Sequence, residues 1–402
     1  MSLERIAPLP PSRMKTVAAQ AAQILVGGLG GLVAHSLGVP AAWLSGSVLA
    51  VVLWGALGFG TPIARPLADA AMLVSGVSMG AGVTPEAILA IGRYPLSLAF
   101  LALGIVGSTI GSMVWLTQVS GWRRDDALLA SAPGAFSTAL AIALDRDAAV
   151  AQIAVVQTFR IFVLITVLPS IVVLIGGGSA MNSLVQAQRS VASPLAMAVV
   201  LVGGLALGIG FERLRVAAPI LLGGTVVSSL FHATGWAPGS MPPVVATAGL
   251  VLIGVFIAER FARVERDALR ETIPAAAGSF LISMMIAAGF AALAALAAKV
   301  AVADSLVAFA PGGLEAMMVL ALVLGLDPLY VGVHHLARFL GIGVVLPFFF
   351  AWLRRSDDAQ DAPAGFQRSQ EGVDQESDAE TGREGGGDGE AGAIGGHDDS
   401  PV

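Results

Sequence analysis

The same helix-breaking tripeptide sits inside two long apolar runs: Ala132-Pro133-Gly134 in "SAPGAFSTAL" and Ala310-Pro311-Gly312 in "FAPGGLEAMM", 178 residues apart. Proline removes a backbone donor and clashes with the preceding turn, and glycine is a poor helix former, so an apolar helix carrying both is expected to break. A break repeated in such surroundings constrains the fold more than any other feature. Lipid offers no water to freed backbone groups, so non-helical backbone is tolerated there only where protein buries it or where it lines a wet cavity.

Lipid is the solvent this composition implies. Of 402 residues, 56% are hydrophobic and 12% charged, and the mean hydropathy is +0.81; soluble domains carry about 25% charged residues. Crossing about 30 Å of hydrocarbon takes roughly 20 apolar residues as a helix. Segments of that kind are expected at 17–39, 41–59, 66–83, 95–119, 127–144 and 149–176, and again at 191–210, 217–234, 243–261, 273–298, 305–326 and 329–352. Small residues four apart, as in Gly27–Gly31, Gly107–Gly111 and Gly204–Gly208, let helix backbones approach closely.

The two sets of six align. At an offset of 178, Gly76 meets Gly254, Ala143-Leu144 meets Ala321-Leu322, Arg160 meets Arg338 and Leu168-Pro169 meets Leu346-Pro347; Gly46 meets Gly223 after a one-residue slip. These are breaker and charged positions, which chance apolar similarity would not select. The expected organisation is a cytoplasmic N-terminal segment (1–16), membrane repeat 1 (17–178), a linker (179–190), membrane repeat 2 (191–353) and an acidic tail (354–402). From Ser356 onward the formal charge is −11, whereas the preceding 355 residues carry +5. So polar a tail buries too little apolar surface to order itself.

Charge also discriminates between topologies. If all twelve segments span, Lys and Arg divide ten inside to eight outside. If each Ala-Pro-Gly segment instead leaves on the side it entered, each repeat has five crossings and the two point in opposite directions. Then Arg5, Arg13, Lys15, Arg65, Arg123, Arg124, Arg146, Arg213, Arg215, Arg260, Arg263, Arg266, Arg270, Arg354 and Arg355 fall inside, against Arg93, Arg189 and Lys299 outside. Fifteen to three fits the positive-inside rule. The fold class expected is an all-α polytopic membrane protein of two inverted repeats, each with five spans plus one broken or re-entrant helix; a discontinuous helix that spans would restore twelve crossings. Both termini are then cytoplasmic. Scarce lysine beside abundant Arg, Ala and Gly suggests a GC-rich bacterial genome, and so an inner membrane.

Paired interrupted segments in corresponding positions point to a transporter's binding site. Arg160 and Arg338 sit deep in the last span of each repeat, at about 2.5–3.5 kcal/mol each on an insertion scale, and need partners: the carbonyls at the breaks Pro133, Gly134, Pro311, Gly312 and Gly313, or Glu315, or Asp327. They either cap freed carbonyls or contact an anion. Glu315 either pairs with Arg338 or titrates; its counterpart is Ser137, followed by Thr138, so the two halves differ. His335 and Gln157 each stand three residues before an arginine and share its face. His334 and His335, adjacent on a helix, do not readily ligate one metal, and no metal, cofactor or nucleic-acid motif is found. With no cysteine, disulfides and thiolate sites are excluded. The "GVSMG" at Gly76–Gly80 lacks the strand–turn–helix setting of a nucleophile elbow. Arg65 and Asp69 form an interfacial i, i+4 pair.

Three stretches, "APGAFSTALAIAL" with "VVQTFRIFVLITVLPSIV", "APGGLEAMMVLALVLGLDPLYVGVHHLARFLGIGVVLPFF", and "GVPAAWLSGSVLA", resemble the AbrB-type membrane protein family, whose members often carry an ammonia monooxygenase label and are distinct from the small DNA-binding regulator of the same name. The resemblance covers about residues 20–352. It implies an inner-membrane protein, with one member linked to regulation of gene expression. Four histidines and no cysteine in the body give ammonia oxidation little to hold a metal. The expectation is a secondary transporter of a small anion or carboxylate, with no cofactor and with the bilayer as its partner; a homo-oligomer is compatible with it. A membrane-embedded regulator is the alternative and a membrane monooxygenase the third reading.

Overall fold

A computed structural model describes residues 13–81, 92, 94–133, 139, 142–143, 149–175, 191–214, 216, 218–236, 239–262 and 266–342. Among these the chain is helical, with one isolated bridge between Val191 and Ser240. The first half holds α1 (Arg13–Ser36), α2 (Ala42–Ala56), α3 (Arg65–Gly80), α4 (Tyr94–Val114, continued by a π-helical turn Trp115–Val119), α5 (Arg124–Ser131) and α6 (Val150–Leu174). The second holds α7 (Pro194–Arg213), α8 (Pro219–Ala233), α9 (Pro243–Ala262), α10 (Arg266–Ala298), α11 (Val302–Phe309), α12 (Leu314–Val323) and a helix α13 described over 328–342. Helices match ten of the twelve expected segments. The two carrying Ala-Pro-Gly do not form single helices: α5 ends at Ser131, and α11 and α12 are separated by residues 310–313.

Starts and stops follow local chemistry. Proline opens α7, α8 and α9 and is the second residue of α3, positions where its missing N–H costs nothing. The Ser193 hydroxyl caps α7 by accepting from the Ala196 N–H at 3.3 Å. Ala41 and Ala218, just before α2 and α8, both hold left-handed backbone at φ 55° and 47°. That conformation is unfavourable without glycine, so packing fixes both turns.

Among the described residues six helices are long and apolar enough to cross a membrane, α1, α4, α6, α7, α9 and α10, and α2, α8 and α12 are shorter apolar helices. Large apolar side chains face outward along them, including Leu25, Leu29, Leu103, Ile110, Leu281 and Met285. In water such a surface would be a sticking patch; in a bilayer it is the solvated face.

Helix directions follow from contacts at the ends. Gln20 and Gln23, early in α1, donate to the carbonyls of Pro62 and Thr61 at 2.7 and 2.8 Å. Arg65, at the start of α3, is ion-paired with Glu212 at the end of α7. The Ile63 N–H donates to Glu259, near the end of α9, at 2.8 Å. The starts of α1 and α3 therefore share one end of the molecule with the finishes of α7 and α9. At the other end, the Ala192 N–H before α7 donates to the Ser240 carbonyl before α9 at 3.1 Å. Gly104, Gly107 and Gly111 of α4 face Phe290, Ile286 and Ile282 of α10, so these two run antiparallel. Arg65, Arg213 and Arg260 gather at the first end, and Lys299 lies at the opposite one.

The halves interlock through glycine. A Cβ on Gly76 in α3 would collide with the Leu221 carbonyl and the Thr225 N–H of α8. One on Gly254 in α9 would press on the Leu44 carbonyl, the Val48 N–H and the Ser47 side chain of α2. Each contact sits 177–178 residues from its counterpart. Bare glycine permits backbone-to-backbone packing where lipid supplies no hydrophobic drive between helices. The buried core draws on both halves, from Leu44 and Met79 to Ile253 and Val331.

Candidate functional site

The second break folds back on itself. Eight residues of α11 rise about 12 Å, stop at Ala310-Pro311-Gly312-Gly313, and α12 returns. The Asp304 carboxylate, in the first turn of α11, accepts from the Asp327 N–H beyond α12 at 2.7 Å. A spanning segment would leave its ends about 30 Å apart; these ends touch. In the first half the Asp126 carboxylate accepts from the Ala149 N–H at 3.3 Å, so that segment also returns to its start. Gly134, Ser137 and Thr138, within its far part, lie outside the described residues.

α6 and α13 run beside the rising arms and hold them by side chain to carbonyl. The Gln157 amide donates to the Leu129 carbonyl at 2.9 Å, and the His335 Nε2–H to the Val307 carbonyl at 2.9 Å, with a separation of 28 residues in both. One helical turn on, Arg160 Nη2 donates to the Ala130 carbonyl at 3.0 Å and the Ser131 carbonyl at 3.5 Å. Arg338 donates from Nη1 to the Ala310 carbonyl and from Nη2 to the Gly312 carbonyl, the latter at 2.7 Å, and its Nη2 also meets His335 Nδ1. With Nε2 protonated towards Val307, His335 Nδ1 is the acceptor for the arginine. Eleven residues separate each arginine from the hairpin base, about 16 Å along a helix and near half the hydrocarbon thickness.

The ion pair anticipated between Glu315 and Arg338 does not form. Both terminal nitrogens of Arg338 are engaged by carbonyls and His335. Glu315 stands in the first turn of α12, where the helix N-terminus favours a negative charge. Asp327, another anticipated partner, instead caps α13, accepting from the Leu329 and Tyr330 N–H groups at 2.9 and 3.1 Å. Arg65 pairs with Asp69 at 3.7 Å and with Glu212. Arg160 and Arg338 are each 2% exposed, unpaired with any described carboxylate, and near enough for their charges to repel.

Pro133 and Pro311, from the two breaks, wall one cavity together with Arg338, Leu101, Ile105 and Phe309. Its volume is about 10 Å³, room for about one water. The residues anticipated at the site thus divide. Arg160, Gln157, Arg338 and His335 all grip the hairpins, and Glu315 lies just beyond the second break.

Sequence reasoning missed a polar network at the base of the second hairpin. Ser97 of α4 hydrogen-bonds to both the Tyr330 hydroxyl and His334 Nε2, the latter at 2.8 Å. Tyr330 also meets the Ser305 hydroxyl at 3.2 Å, and the Tyr94 ring stands edge-on to Tyr330 with centroids 5.3 Å apart. It missed Asp126 and Asp304 too, although they stand 178 residues apart like the breaks. Among the described residues no group of three or more His, Asp or Glu could hold a metal ion.

No curated protein matches the chain. The family model described as transition state regulatory protein AbrB matches residues 43–354, a range that takes in both hairpins, both arginines and most of the apolar helices. By that match, and by its helical, apolar architecture, the chain belongs to the AbrB family in its membrane form and not to the small DNA-binding regulators that share the name.

Proposed function

We propose that this protein is a secondary transporter of a small anion or carboxylate in a bacterial inner membrane, and not an enzyme. In this reading two inverted repeats send their hairpins in from opposite sides, with both termini cytoplasmic. The observation that carries it is the cavity that Pro133 and Pro311, one from each break, wall together beside Arg338. Opposed directions of α1 and α7, α3 and α9, and α4 and α10 support the inversion, since equivalent helices that antiparallel each other require a two-fold axis lying in the membrane plane. Two buried guanidiniums without carboxylate partners among the described residues favour an anion over a cation. Arg338, His335, Arg160 and Gln157, with Glu315, Ser137 and Thr138, are the residues assigned to the site. A cavity with room for one water is the closed state of such a device; opening the hairpins to one side would admit solute.

The test is uptake of labelled carboxylates into proteoliposomes. Arg338→Ala and Glu315→Gln are expected to lower uptake at least about tenfold, the effect of losing one charged hydrogen bond. Wild-type uptake in both variants would remove the site assignment. The matched family's description favours one other reading, a membrane protein acting on gene expression. In that case Arg338→Ala leaves the regulatory phenotype intact, and deletion of 356–402 abolishes it.

A further inference from the structure

His232, half-buried in the last turn of α8, has both ring nitrogens on oxygen. Nδ1 lies 2.7 Å from the Ser228 carbonyl and 3.2 Å from the Ser228 hydroxyl, and Nε2 lies 2.8 Å from the Gly239 carbonyl. A carbonyl oxygen only accepts, so a ring nitrogen bonded to one must donate. Neutral imidazole has a single N–H, and two carbonyl contacts from two nitrogens therefore require the imidazolium. The Ser228 hydroxyl agrees: it donates to the Val77 carbonyl at 2.7 Å, so towards His232 it can only accept. The C-terminal end of a helix also favours a cation.

No other charge is needed to explain this. His232 shares a cavity of about 10 Å³ with Val77 and Ala81 at the end of α3, Ala196 and Val200 of α7, and Met241 before α9; of the residues lining it only His232 is titratable. Its contacts tie together the helix ends around that cavity. Through Ser228 it reaches the last turn of α3, and through Gly239 the segment ahead of α9. The Ser240 carbonyl in that segment accepts from the Ala192 N–H ahead of α7 at 3.1 Å.

The two nitrogens are not equally committed. Nδ1–H has two acceptors and Nε2–H has one. Loss of a proton therefore falls on Nε2, whose bare lone pair then repels the Gly239 carbonyl. Gly239 stands at φ +114°, backbone that glycine alone adopts freely, so the chain can move away there. At the one-residue slip that pairs Gly46 with Gly223, the counterpart of His232 is Gly55, so the first half has no such group.

We propose that His232 is a proton-operated latch. As imidazolium it holds Gly239 and fastens the ends of α3 and α8 to the segments leading into α7 and α9. On losing its Nε2 proton it releases Gly239 and opens the cavity wall. The latch is fastened at low pH and freed as pH rises, imidazole being the side chain whose charge changes between about pH 5 and pH 8. It lies at the end opposite Arg65, Arg213 and Arg260, which in the orientation proposed above faces the periplasm. The latch stands without the transport reading; only its side of the membrane rests on that reading.

Two measurements on the full chain in nanodiscs test it. The first is nitrogen NMR of protein carrying ¹⁵N-labelled histidine, with the His232 signals identified by their loss in His232→Gln. Both ring nitrogens are expected to be protonated at about pH 5, and Nδ1 alone at about pH 8. The second is the rate at which Ala192→Cys, a thiol on the cavity wall of a chain without native cysteine, reacts with a maleimide. The same thiol in the His232→Gln background corrects for the pH dependence of the thiolate itself. The ratio of the two rates is expected to rise about tenfold between the two pH values, the effect of losing one charged hydrogen bond. The proposal is overturned by a His232 ring whose proton count is the same at both pH values, or by a rate ratio that does not change with pH. Absence of carboxylate uptake would defeat the transport reading and leave the latch standing.

Discussion

Asp304 accepts a hydrogen bond from the backbone N–H of Asp327 at 2.7 Å. That one contact closes the second broken segment into a hairpin, because a residue in the first turn of α11 and a residue just beyond α12 are in direct contact. Asp126 and Ala149 make the corresponding contact at 3.3 Å. Each hairpin is thus fastened twice, at its base by an aspartate and at its tip by an arginine.

The base fastening predicts a graded response. Asp304→Ala removes the acceptor and leaves a half-buried N–H unsatisfied, which costs about 1–3 kcal/mol. Asp304→Asn keeps a side-chain oxygen and should lose less than half as much. Thermal unfolding of the purified variants in detergent measures both; equal melting of all three proteins would deny the contact any part in holding the hairpin.

The chain's lack of cysteine makes its topology directly testable. Arg124→Cys, Arg270→Cys and Lys299→Cys place single thiols at the start of α5, in the first turns of α10 and after α10. Returning hairpins put 124 and 270 on one side and 299 on the other. Twelve spans would put 124 with 299 and 270 alone. Labelling intact cells with a membrane-impermeant maleimide separates the two, whichever side is cytoplasmic.

Much of this architecture was legible in the sequence, because breakers and charges in an apolar chain carry strong local physics. The breaks at Pro133 and Pro311 and the helices described in the other ten segments follow from proline chemistry and hydrophobic length. The clustering of Arg65, Arg213 and Arg260 at one end follows from charge asymmetry. Partner choice was less legible. Glu315 lies close in sequence to the Gly312 carbonyl that Arg338 grips, and nothing in the order of residues says that carbonyls and His335 use up the guanidinium first. Serine gives weaker signals still. Ser97 is ordinary in a packed membrane helix, and only its bonds to Tyr330 and His334 mark it.

His335 and Gln157 make the same contact from equivalent places, each donating to a carbonyl 28 residues earlier. Glutamine at 335 can still donate to Val307 and offer an oxygen to Arg338. His335→Gln is therefore expected to cost under about 1 kcal/mol, whereas His335→Ala, which strands a buried carbonyl and one arginine N–H, costs about 1–3 kcal/mol. Unfolding measurements on the pair check the order. Glutamine as damaging as alanine would mean that the imidazole has a role beyond this grip.

The tyrosines at the base of the second hairpin should respond in opposite directions. Tyr330 shares hydrogen bonds with Ser97 and Ser305, so Tyr330→Phe leaves two buried hydroxyls short of a partner and destabilises by about 1–2 kcal/mol. The Tyr94 hydroxyl is buried with no hydrogen-bond partner among the described residues, although its ring packs against Tyr330 and His334. Tyr94→Phe keeps that packing and deletes only the unsatisfied group, so the variant should be as stable as the parent or more stable by up to about 1 kcal/mol. Melting curves of the two phenylalanine variants decide the matter. Loss of stability in Tyr94→Phe equal to that in Tyr330→Phe would show that the Tyr94 hydroxyl is satisfied in the membrane, by a water held between it and the hairpin base.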